Sequence, residues 1–166
     1  LALVPQRVWN NMTQYLLAAI PLFIFMASML EKSGVIEEVF DVAYKWLGRI
    51  PGGLAVATVV ASTVLAAMVG VIGAAVVTMA LVALPSMLRR GYSPVLAVGT
   101  VMAGGTLGIL IPPSVLAIVY GLVANQSVGE LYLGSVFPGL VLSGLYILFS
   151  VGYALLNPKA APRLSP

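Results

Sequence analysis

The sequence predicts an all-α integral membrane protein built from spanning helices, a re-entrant helical hairpin and a broken, discontinuous helix. Of the 166 residues, 61% are hydrophobic and only 8% are charged, whereas a soluble domain carries about 25% charged residues. The charges are confined to short segments, so that long stretches of the chain are uncharged. Two of these stretches are too long for one ordinary crossing and contain glycines or prolines near their middle, which predicts a turn or a break there.

The residue types that are missing narrow the function. The chain has no cysteine and no histidine, which excludes a disulfide framework, thiolate or imidazole metal ligands, and Cys/His or Ser/His catalytic pairs. The predicted membrane interior has no ionisable side chain except tyrosine, so a general base is hard to place and we expect neither an enzyme nor a cofactor. The net charge is only +3 and the basic residues are scattered along the chain, which argues against a nucleic-acid partner. The partner that the composition does predict is the lipid bilayer.

The first region, residues 1–49, is predicted to hold a spanning helix and an amphipathic helix. Residues 14–30 are uncharged and match the length of about 17–25 residues that a crossing requires. Between residues 31 and 49, apolar side chains recur at helical spacing while charged side chains face elsewhere. We interpret this segment as a helix lying in the membrane interface, with an ordinary solvated connector as the alternative. Its apolar face consists of Ile36, Val39, Phe40, Ala43 and Leu47.

Residues 50–90 are predicted to form the re-entrant helical hairpin. The uncharged stretch 50–88 would be about 58 Å long as a single helix, almost twice the roughly 30 Å of the hydrocarbon core. Its middle reads Val69-Gly70-Val71-Ile72-Gly73-Ala74, without a polar turn residue. An apolar glycine tip fits a turn that stays buried in protein better than a loop that reaches water. Both ends of the hairpin are therefore expected on one side of the membrane.

Residues 91–129 are predicted to form the discontinuous helix. Two consecutive prolines, Pro112 and Pro113, remove two backbone donors and push Ile111 out of helical geometry. The length of the stretch is compatible either with one broken crossing or with two crossings and a tight turn. The last region, residues 130–166, is predicted to hold a spanning helix over 131–157 and the beginning of a proline-rich connection.

The distribution of basic residues favours one broken crossing over two. With one crossing, seven basic residues share a side and only Arg7 lies opposite; with two crossings, Lys159 and Arg163 change sides and the ratio becomes five to three. Because basic residues concentrate on the cytoplasmic side, the first arrangement is favoured, with the hairpin ends in the cytoplasm. The seven residues are Lys32, Lys45, Arg49, Arg89, Arg90, Lys159 and Arg163.

The break predicts a binding site for a cation and an anion. Because prolines have no amide hydrogen, the carbonyls of Gly108 and Ile109 lose their helical donors and lie at the negative end of the first half-helix, where a cation such as sodium can bind. The second half-helix begins at Pro113-Ser114-Val115, and its free amides suit a carboxylate. This arrangement is typical of secondary transporters. A purely structural kink is the alternative, since glycine and proline are common in membrane helices.

Several motifs occur in an order that resembles a known family. They are Leu17-Ala18-Ala19-Ile20-Pro21-Leu22-Phe23-Ile24, Ser33-Gly34, Pro51-Gly52-Gly53-Leu54-Ala55, Leu84-Pro85, Arg90-Gly91-Tyr92, Gly105-Thr106-Leu107-Gly108, Ile111-Pro112-Pro113-Ser114 and Tyr120-Gly121. From about Gln6 to Pro158, the chain resembles the large membrane (M) subunit of tripartite ATP-independent periplasmic (TRAP) transporters. The match covers most of the first of that family's two inverted repeats. The chain begins with Leu1 rather than Met, as expected of a fragment.

The resemblance implies an elevator-type transporter repeat. The complete protein would be a multi-pass permease of the bacterial inner membrane that imports organic acids, such as C4-dicarboxylates or related carboxylates, by sodium symport. The implied partners are a small membrane (Q) subunit, a periplasmic substrate-binding (P) protein and a carboxylate substrate.

One departure from the family pattern concerns the hairpin tip. The family tip commonly reads Ser-Gly-Ser-Ser and its hydroxyls help to hold sodium, whereas Val69, Gly70, Val71 and Ile72 are aligned there in this chain. The resemblance therefore implies an ion site formed mainly by backbone groups. The missing hydroxyls also support a second hypothesis, a non-transporting membrane scaffold or assembly subunit. The candidate ion-binding residues are Val69, Gly70, Gly105, Thr106, Gly108 and Ile109, and the candidate substrate-binding residues are Pro113, Ser114 and Val115.

Overall fold

The computed structural model describes residues 4–6, 9, 13, 15–48 and 50–162, and over these ranges it is helical without any β-strand. The predicted all-α class is confirmed. Arg7, Arg49 and Arg163 lie outside the described residues. The helices of ten residues or more in the described ranges are α1 (Tyr15–Lys32), α2 (Val35–Leu47), α3 (Gly53–Val69), α4 (Ile72–Arg89), α5 (Pro94–Leu110), α6 (Val115–Ala124) and α7 (Val128–Leu156).

Several of these helices are long and apolar enough to cross a membrane. The described chain contains three such segments, Ile72–Arg89, Pro94–Ala124 and Val128–Leu156, and α1 and α2 form a pair bent by 62° that could act as a fourth. The third segment is 29 residues long, about 44 Å at 1.5 Å per residue, which exceeds the hydrocarbon thickness of about 30 Å. The chain is therefore a multi-pass membrane protein, as the composition predicts.

Helices α3 and α4 form the predicted hairpin, and its tip consists of Gly70 and Val71 alone. Gly70 has a φ of +65° and its amide donates to the Ala66 carbonyl at 3.2 Å, a left-handed helix ending that favours glycine. Val71 is extended and α4 begins at Ile72. The turn is thus shorter than the glycine-rich sequence suggests, because Gly73 continues as part of α4.

Helices α5 and α6 are the two halves of the broken helix, and residues 111–114 form the break between them. Ser93 caps the beginning of α5 by accepting a hydrogen bond from the Leu96 amide. At the other end, Ile111 has φ −85° and ψ +124°, which confirms that the prolines force it out of helical geometry. The two halves belong to one 31-residue apolar segment, and its passage through the membrane as a single broken crossing stays a prediction.

Helix α7 runs antiparallel to this segment and contacts its whole length. A Cβ added at Gly139 would lie 2.8 Å from Cγ1 of Ile111 at the break, and a Cβ added at Gly52 would lie 2.7 Å from Cβ of Ala154. The break therefore lies beside the interior of α7, whereas the residues just before α3 lie beside its end. We call the end of the bundle at which α3 begins and α4 ends the hairpin base.

Helix α2 packs its apolar face against the rest of the bundle. Ile36 and Phe40 are buried, each 3% exposed, and they face α3 rather than lipid. Ile36 lies in a groove with Leu65 and Met68, near the tip end of α3, while a Cβ added at Gly53 would overlap the Leu47 carbonyl at the hairpin base. Helix α2 thus packs lengthwise and antiparallel on α3, because α3 is apolar on all sides and supplies a matching surface. Its interfacial placement stays a prediction.

This packing also changes the position of Lys32. The Thr78 hydroxyl donates to the Glu31 carboxylate at 3.3 Å, and Thr78 lies in the tip-proximal half of α4. The turn between α1 and α2 therefore lies beside the half of the hairpin that is nearer its tip, and not at the hairpin base. The charge count places Lys32 on the same side of the membrane as Lys45, Arg89 and Arg90. In the structure, Lys32 is separated from these three residues, which lie at the ends of α2 and α4.

Candidate functional site

The hairpin tip contacts the break in the α5–α6 helix directly. The Val115 amide donates to the Gly70 carbonyl at 3.3 Å. A Cβ added at Gly70 would overlap the Pro113 carbonyl and lie 3.7 Å from Cα of Ser114. Glycine is therefore required at position 70 both for its positive φ and for this close approach. The tip and the break, predicted separately, therefore lie in direct contact.

One face of α5 is lined by glycines where the hairpin packs against it. A Cβ added at Gly105 would overlap the Val76 side chain of α4, and one added at Gly108 would lie 3.7 Å from the carbonyl carbon of Val71. Small residues let helix backbones approach closely inside a membrane. The candidates Gly105 and Gly108 therefore share the hairpin-facing side of α5, and Gly108 lies next to the tip.

The two carbonyls that the prolines were expected to free are unpaired. The last backbone hydrogen bond of α5 runs from the Ile111 amide to the Leu107 carbonyl, at 2.9 Å. Within the described residues, no donor is hydrogen-bonded to the carbonyls of Gly108 or Ile109. Gly108 is buried against the hairpin, whereas Ile109 is half-buried and faces a groove between α6 and α7. Two acceptors thus lie at the negative end of the α5 dipole, and their role as sodium ligands stays a prediction.

The beginning of α6 is less open than the sequence suggests. The Val115 amide is bonded to Gly70, and the Ala117 amide donates to the Ser114 hydroxyl at 3.4 Å. Ser114 is fully buried. Among the described residues, the amides of Ser114 and Leu116 have no acceptor. At the predicted carboxylate site Pro113-Ser114-Val115, protein oxygens therefore occupy the amides of Val115 and Ala117 and leave those of Ser114 and Leu116 unpaired within the described chain.

The candidate Thr106 faces α7 rather than the hairpin. Its hydroxyl donates to the Ala103 carbonyl at 2.7 Å and lies 3.3 Å from the Tyr146 hydroxyl. On the other side of the break, the Tyr132 hydroxyl donates to the Ser114 carbonyl at 3.3 Å. Helix α7 thus contacts both halves of the broken helix, with Gly139 between the two tyrosines.

The tyrosines and Gly139 of α7 were missed by sequence reasoning. Gly139 follows Pro138 inside a long apolar helix, and a small residue at such a position is a usual sign of close helix packing. That signal was available, but only the structure shows that the partner of Gly139 is Ile111. The hydroxyls of Tyr132 and Tyr146 gave no sequence signal, because tyrosine is also common at membrane surfaces.

The arrangement can act chemically through backbone dipoles. The described residues contain no group of three or more His, Cys, Asp or Glu side chains that could hold a metal ion. Carbonyl oxygens suit a hard cation such as sodium, and unpaired amides at a helix N-terminus suit an anion. A hairpin tip against a broken membrane helix is the architecture of a secondary-transporter repeat, in which half-helix ends meet the solute and its coupling ion.

Comparison with known proteins identifies the family. The model described as "Tripartite ATP-independent periplasmic transporter, DctM component" matches residues 1–163. The chain belongs to this family, the large permease component of TRAP transporters, as its motifs indicate.

The similar proteins are large permeases with different named substrates. The C4-dicarboxylate TRAP transporter large permease protein of Vibrio cholerae is 40% identical over 98% of this chain and 36% of its own length. The protein of the same name from Pseudomonas aeruginosa is 38% identical over 95% of this chain and 36% of its length. The ectoine TRAP transporter large permease of Halomonas elongata is 31% identical over 87% of this chain and 35% of its own length. The chain thus spans about a third of these relatives, which are transporter subunits and not enzymes.

Proposed function

We propose that this chain forms half of the transport core of a sodium-coupled importer of organic acids. The observation that carries the proposal is the contact between the hairpin tip and the break, where the Gly70 carbonyl meets the Val115 amide. Near this contact, the carbonyls of Gly108 and Ile109 accept no hydrogen bond within the described chain, which leaves them available to a cation. Backbone oxygens at the tip, including that of Val69, complete the sodium shell in place of the missing hydroxyls.

The substrate carboxylate binds at the beginning of α6. The unpaired amides of Ser114 and Leu116 supply donors, and the positive end of the α6 dipole supplies a favourable field. For the Val115 amide to join them, the Gly70 carbonyl has to leave it. In this proposal, movement of the hairpin tip away from α6 opens the substrate site.

The names of the similar proteins support a small organic acid as substrate. Two of the large permeases quoted above are named for C4-dicarboxylates and one for ectoine. We propose a C4-dicarboxylate or a related carboxylate for this chain. The complete permease works in the bacterial inner membrane with a small membrane subunit and a periplasmic substrate-binding protein.

Replacing both prolines of the break tests the sodium site. In the variant Pro112→Ala/Pro113→Ala, two amides return that can donate to the carbonyls of Gly108 and Ile109. Because these carbonyls would then be less available to a cation, we expect the apparent sodium affinity to fall by about 5- to 150-fold, since two hydrogen bonds are worth about 1–3 kcal/mol. The measurement is sodium-dependent uptake of labelled succinate by the full-length permease, reconstituted with its small subunit and binding protein.

The matched control is Pro85→Ala, which removes an exposed proline inside α4 far from the break. We expect its sodium dependence to equal that of the native protein. Unchanged sodium dependence in the double variant would contradict the proposed ion site. The alternative, a non-transporting scaffold, predicts instead that changes at Gly105 or Gly108 impair assembly of the complex while any ion-dependent flux is kept.

A further inference from the structure

A basic surface lies at the hairpin base and is assembled from three parts of the chain that are far apart in sequence. Lys45 lies in the last turn of α2, Arg89 and Arg90 lie at the end of α4, and Lys159 follows α7. All four residues are exposed. We refer to these four residues as the basic patch.

Contacts between the ends of the helices bring the first two parts together. The guanidinium carbon of Arg90 lies 4.4 Å from the centre of the Tyr44 ring, a cation–π contact that holds the end of α4 against the end of α2. Lys45 is the next residue along α2. The tyrosine contact occupies one face of the Arg90 guanidinium and leaves the residue exposed.

The segment that follows α7 folds back onto the same end of the bundle. The Ser93 amide donates to the Ala160 carbonyl at 2.9 Å, and the next residue, Ala161, is 2% exposed within the core. A Cβ added at Gly91 would lie 3.7 Å from Cγ of Pro162. These contacts tie the segment to the turn between α4 and α5, so that Lys159, the residue before Ala160, lies at the same end of the bundle as Arg89 and Arg90.

Acidic residues do not neutralise the basic patch. Within the described chain, none of its four cationic groups lies within 4.0 Å of a carboxylate. Asp41 is the acidic residue nearest to Lys45 along α2, one turn before it; the others are at the α1–α2 turn or at the opposite end of α7. All five acidic residues of the chain are Glu31, Glu37, Glu38, Asp41 and Glu130.

We propose that the basic patch binds the phosphate headgroup of an anionic phospholipid in the adjacent leaflet. A soluble anion would need only the charges, whereas a lipid also needs apolar surface next to them. Leu88 is 43% exposed and Val95 is 80% exposed, and both lie in the helix turns that adjoin the patch. A headgroup at Arg89 thus has apolar side chains beside it for its acyl chains, and juxtamembrane basic clusters attract anionic lipids in this way.

Lipid titration of the full-length permease tests this inference. The thermal stability of the protein in neutral detergent is measured while phosphatidylglycerol or phosphatidylcholine is added, and the midpoint gives an apparent affinity. We expect stabilisation by phosphatidylglycerol only, and it should disappear near 1 M salt, where the Debye length falls to about 3 Å. In Lys45→Gln/Arg89→Gln/Lys159→Gln, the affinity should fall by about fivefold for each cation removed, on the order of 100-fold in total. Arg90 is kept because it packs on Tyr44.

The control is Lys32→Gln, which removes one positive charge at the α1–α2 turn, away from the patch. Its affinity for phosphatidylglycerol should match that of the native protein. Where the triple variant does not fold, Arg89→Gln replaces it, with a fivefold loss expected. Equal stabilisation by both lipids, equal stabilisation by inorganic phosphate at the same concentration, or an unchanged affinity in the patch variants would each overturn the inference. Because stability is the readout, the result is independent of whether sodium drives uptake.

Discussion

At the scale of single residues, the contact between Ser62 and Gly104 limits how closely α3 and α5 can pack. Ser62 is fully buried, and its hydroxyl has no hydrogen-bond partner in the described chain. A Cβ added at Gly104 would lie 2.7 Å from Cβ of Ser62 and 2.5 Å from its hydroxyl oxygen. The helices approach each other here because one partner has no side chain and the other has a small one.

We therefore expect opposite effects from two alanine substitutions. Ser62→Ala removes an unsatisfied buried hydroxyl, which costs about 1–3 kcal/mol, and should raise the free energy of unfolding by about 1 kcal/mol. Gly104→Ala overpacks the contact and should lower the free energy of unfolding by about 1–3 kcal/mol. The measurement is thermal unfolding of the full-length permease in detergent.

The control for these changes is Gly99→Ala, also in α5, where an added Cβ meets nothing within 4 Å. It should be neutral or stabilising by up to about 1 kcal/mol, because alanine is the better helix former. Two outcomes would contradict the contact between Ser62 and Gly104. One is that Gly104→Ala is as stable as Gly99→Ala, and the other is that adding Ser62→Gly to Gly104→Ala does not restore the lost stability.

At the scale of elements, the hairpin tip and the broken helix stabilise each other. The Gly70 carbonyl satisfies an amide at the start of α6, and the tip backbone covers Gly108 at the end of α5. Neither the turn nor the break could be buried alone, since each would leave unsatisfied polar groups in an apolar environment. The two irregular segments therefore stabilise each other, and in the proposed mechanism the site opens when the tip moves.

A disulfide between the tip and the break should block this movement. A Cβ added at Gly108 would lie 3.7 Å from the Val71 carbonyl carbon, so the two backbones approach as closely as a disulfide between these positions requires. In a cysteine-free full-length permease, Val71→Cys/Gly108→Cys should form the bond on mild oxidation. We expect dicarboxylate uptake to fall at least tenfold and to recover on reduction.

The pair Gly73→Cys/Gly108→Cys is the matched control, because Gly73 faces open space and should not cross-link. Full uptake by the oxidised Val71→Cys/Gly108→Cys protein, with the bond shown to be complete, would refute the requirement for tip movement. Loss of uptake before oxidation would instead show that the substitutions alone damage the site.

At the scale of the whole molecule, the hairpin base is closed by contacts between distant parts of the chain. The Leu54 amide at the start of α3 donates to the Tyr92 hydroxyl at 3.3 Å, and Tyr92 is 3% exposed in the turn between α4 and α5. Burial raises the pKa of the Tyr92 phenol above its usual value of 10.0, and the hydrogen bond from Leu54 opposes this shift. The folded protein thus favours the neutral phenol at this position.

This shift predicts a loss of stability at high pH. Because the pKa is higher in the folded state than in the unfolded state, the contribution of Tyr92 is complete below pH 10 and declines as the pH rises towards the folded pKa. Tyr92→Phe should be less stable at neutral pH by about 1 kcal/mol, since the buried Leu54 amide loses its acceptor. It should also show a shallower decline above pH 10, measured as thermal stability in detergent against pH. An identical decline in both proteins would contradict this assignment.

Much of the fold and part of the site follow from the sequence alone. The low charge content requires a membrane environment. The consecutive Pro112 and Pro113 break their helix because they remove two amide hydrogens in a row, whereas the single prolines Pro85 and Pro138 lie inside continuous helices. The same reasoning identified Gly108 and Ile109 as the residues whose carbonyls lose their donors. These properties are local, since they depend on backbone chemistry within one turn of helix.

Only the tertiary structure decided which parts of the chain surround the break. It brought the Gly70 carbonyl to Val115 and the tyrosines of α7 to the two sides of the break, and it packed α2 on α3. Such contacts join residues far apart in the chain. Helices α3 and α7 are apolar on all sides and carry no periodic signal that would indicate which face meets which neighbour, whereas α2 shows which face is buried but not against what. The pairing is set by small residues such as Gly105 and Gly139, whose effect appears only when a second backbone approaches them.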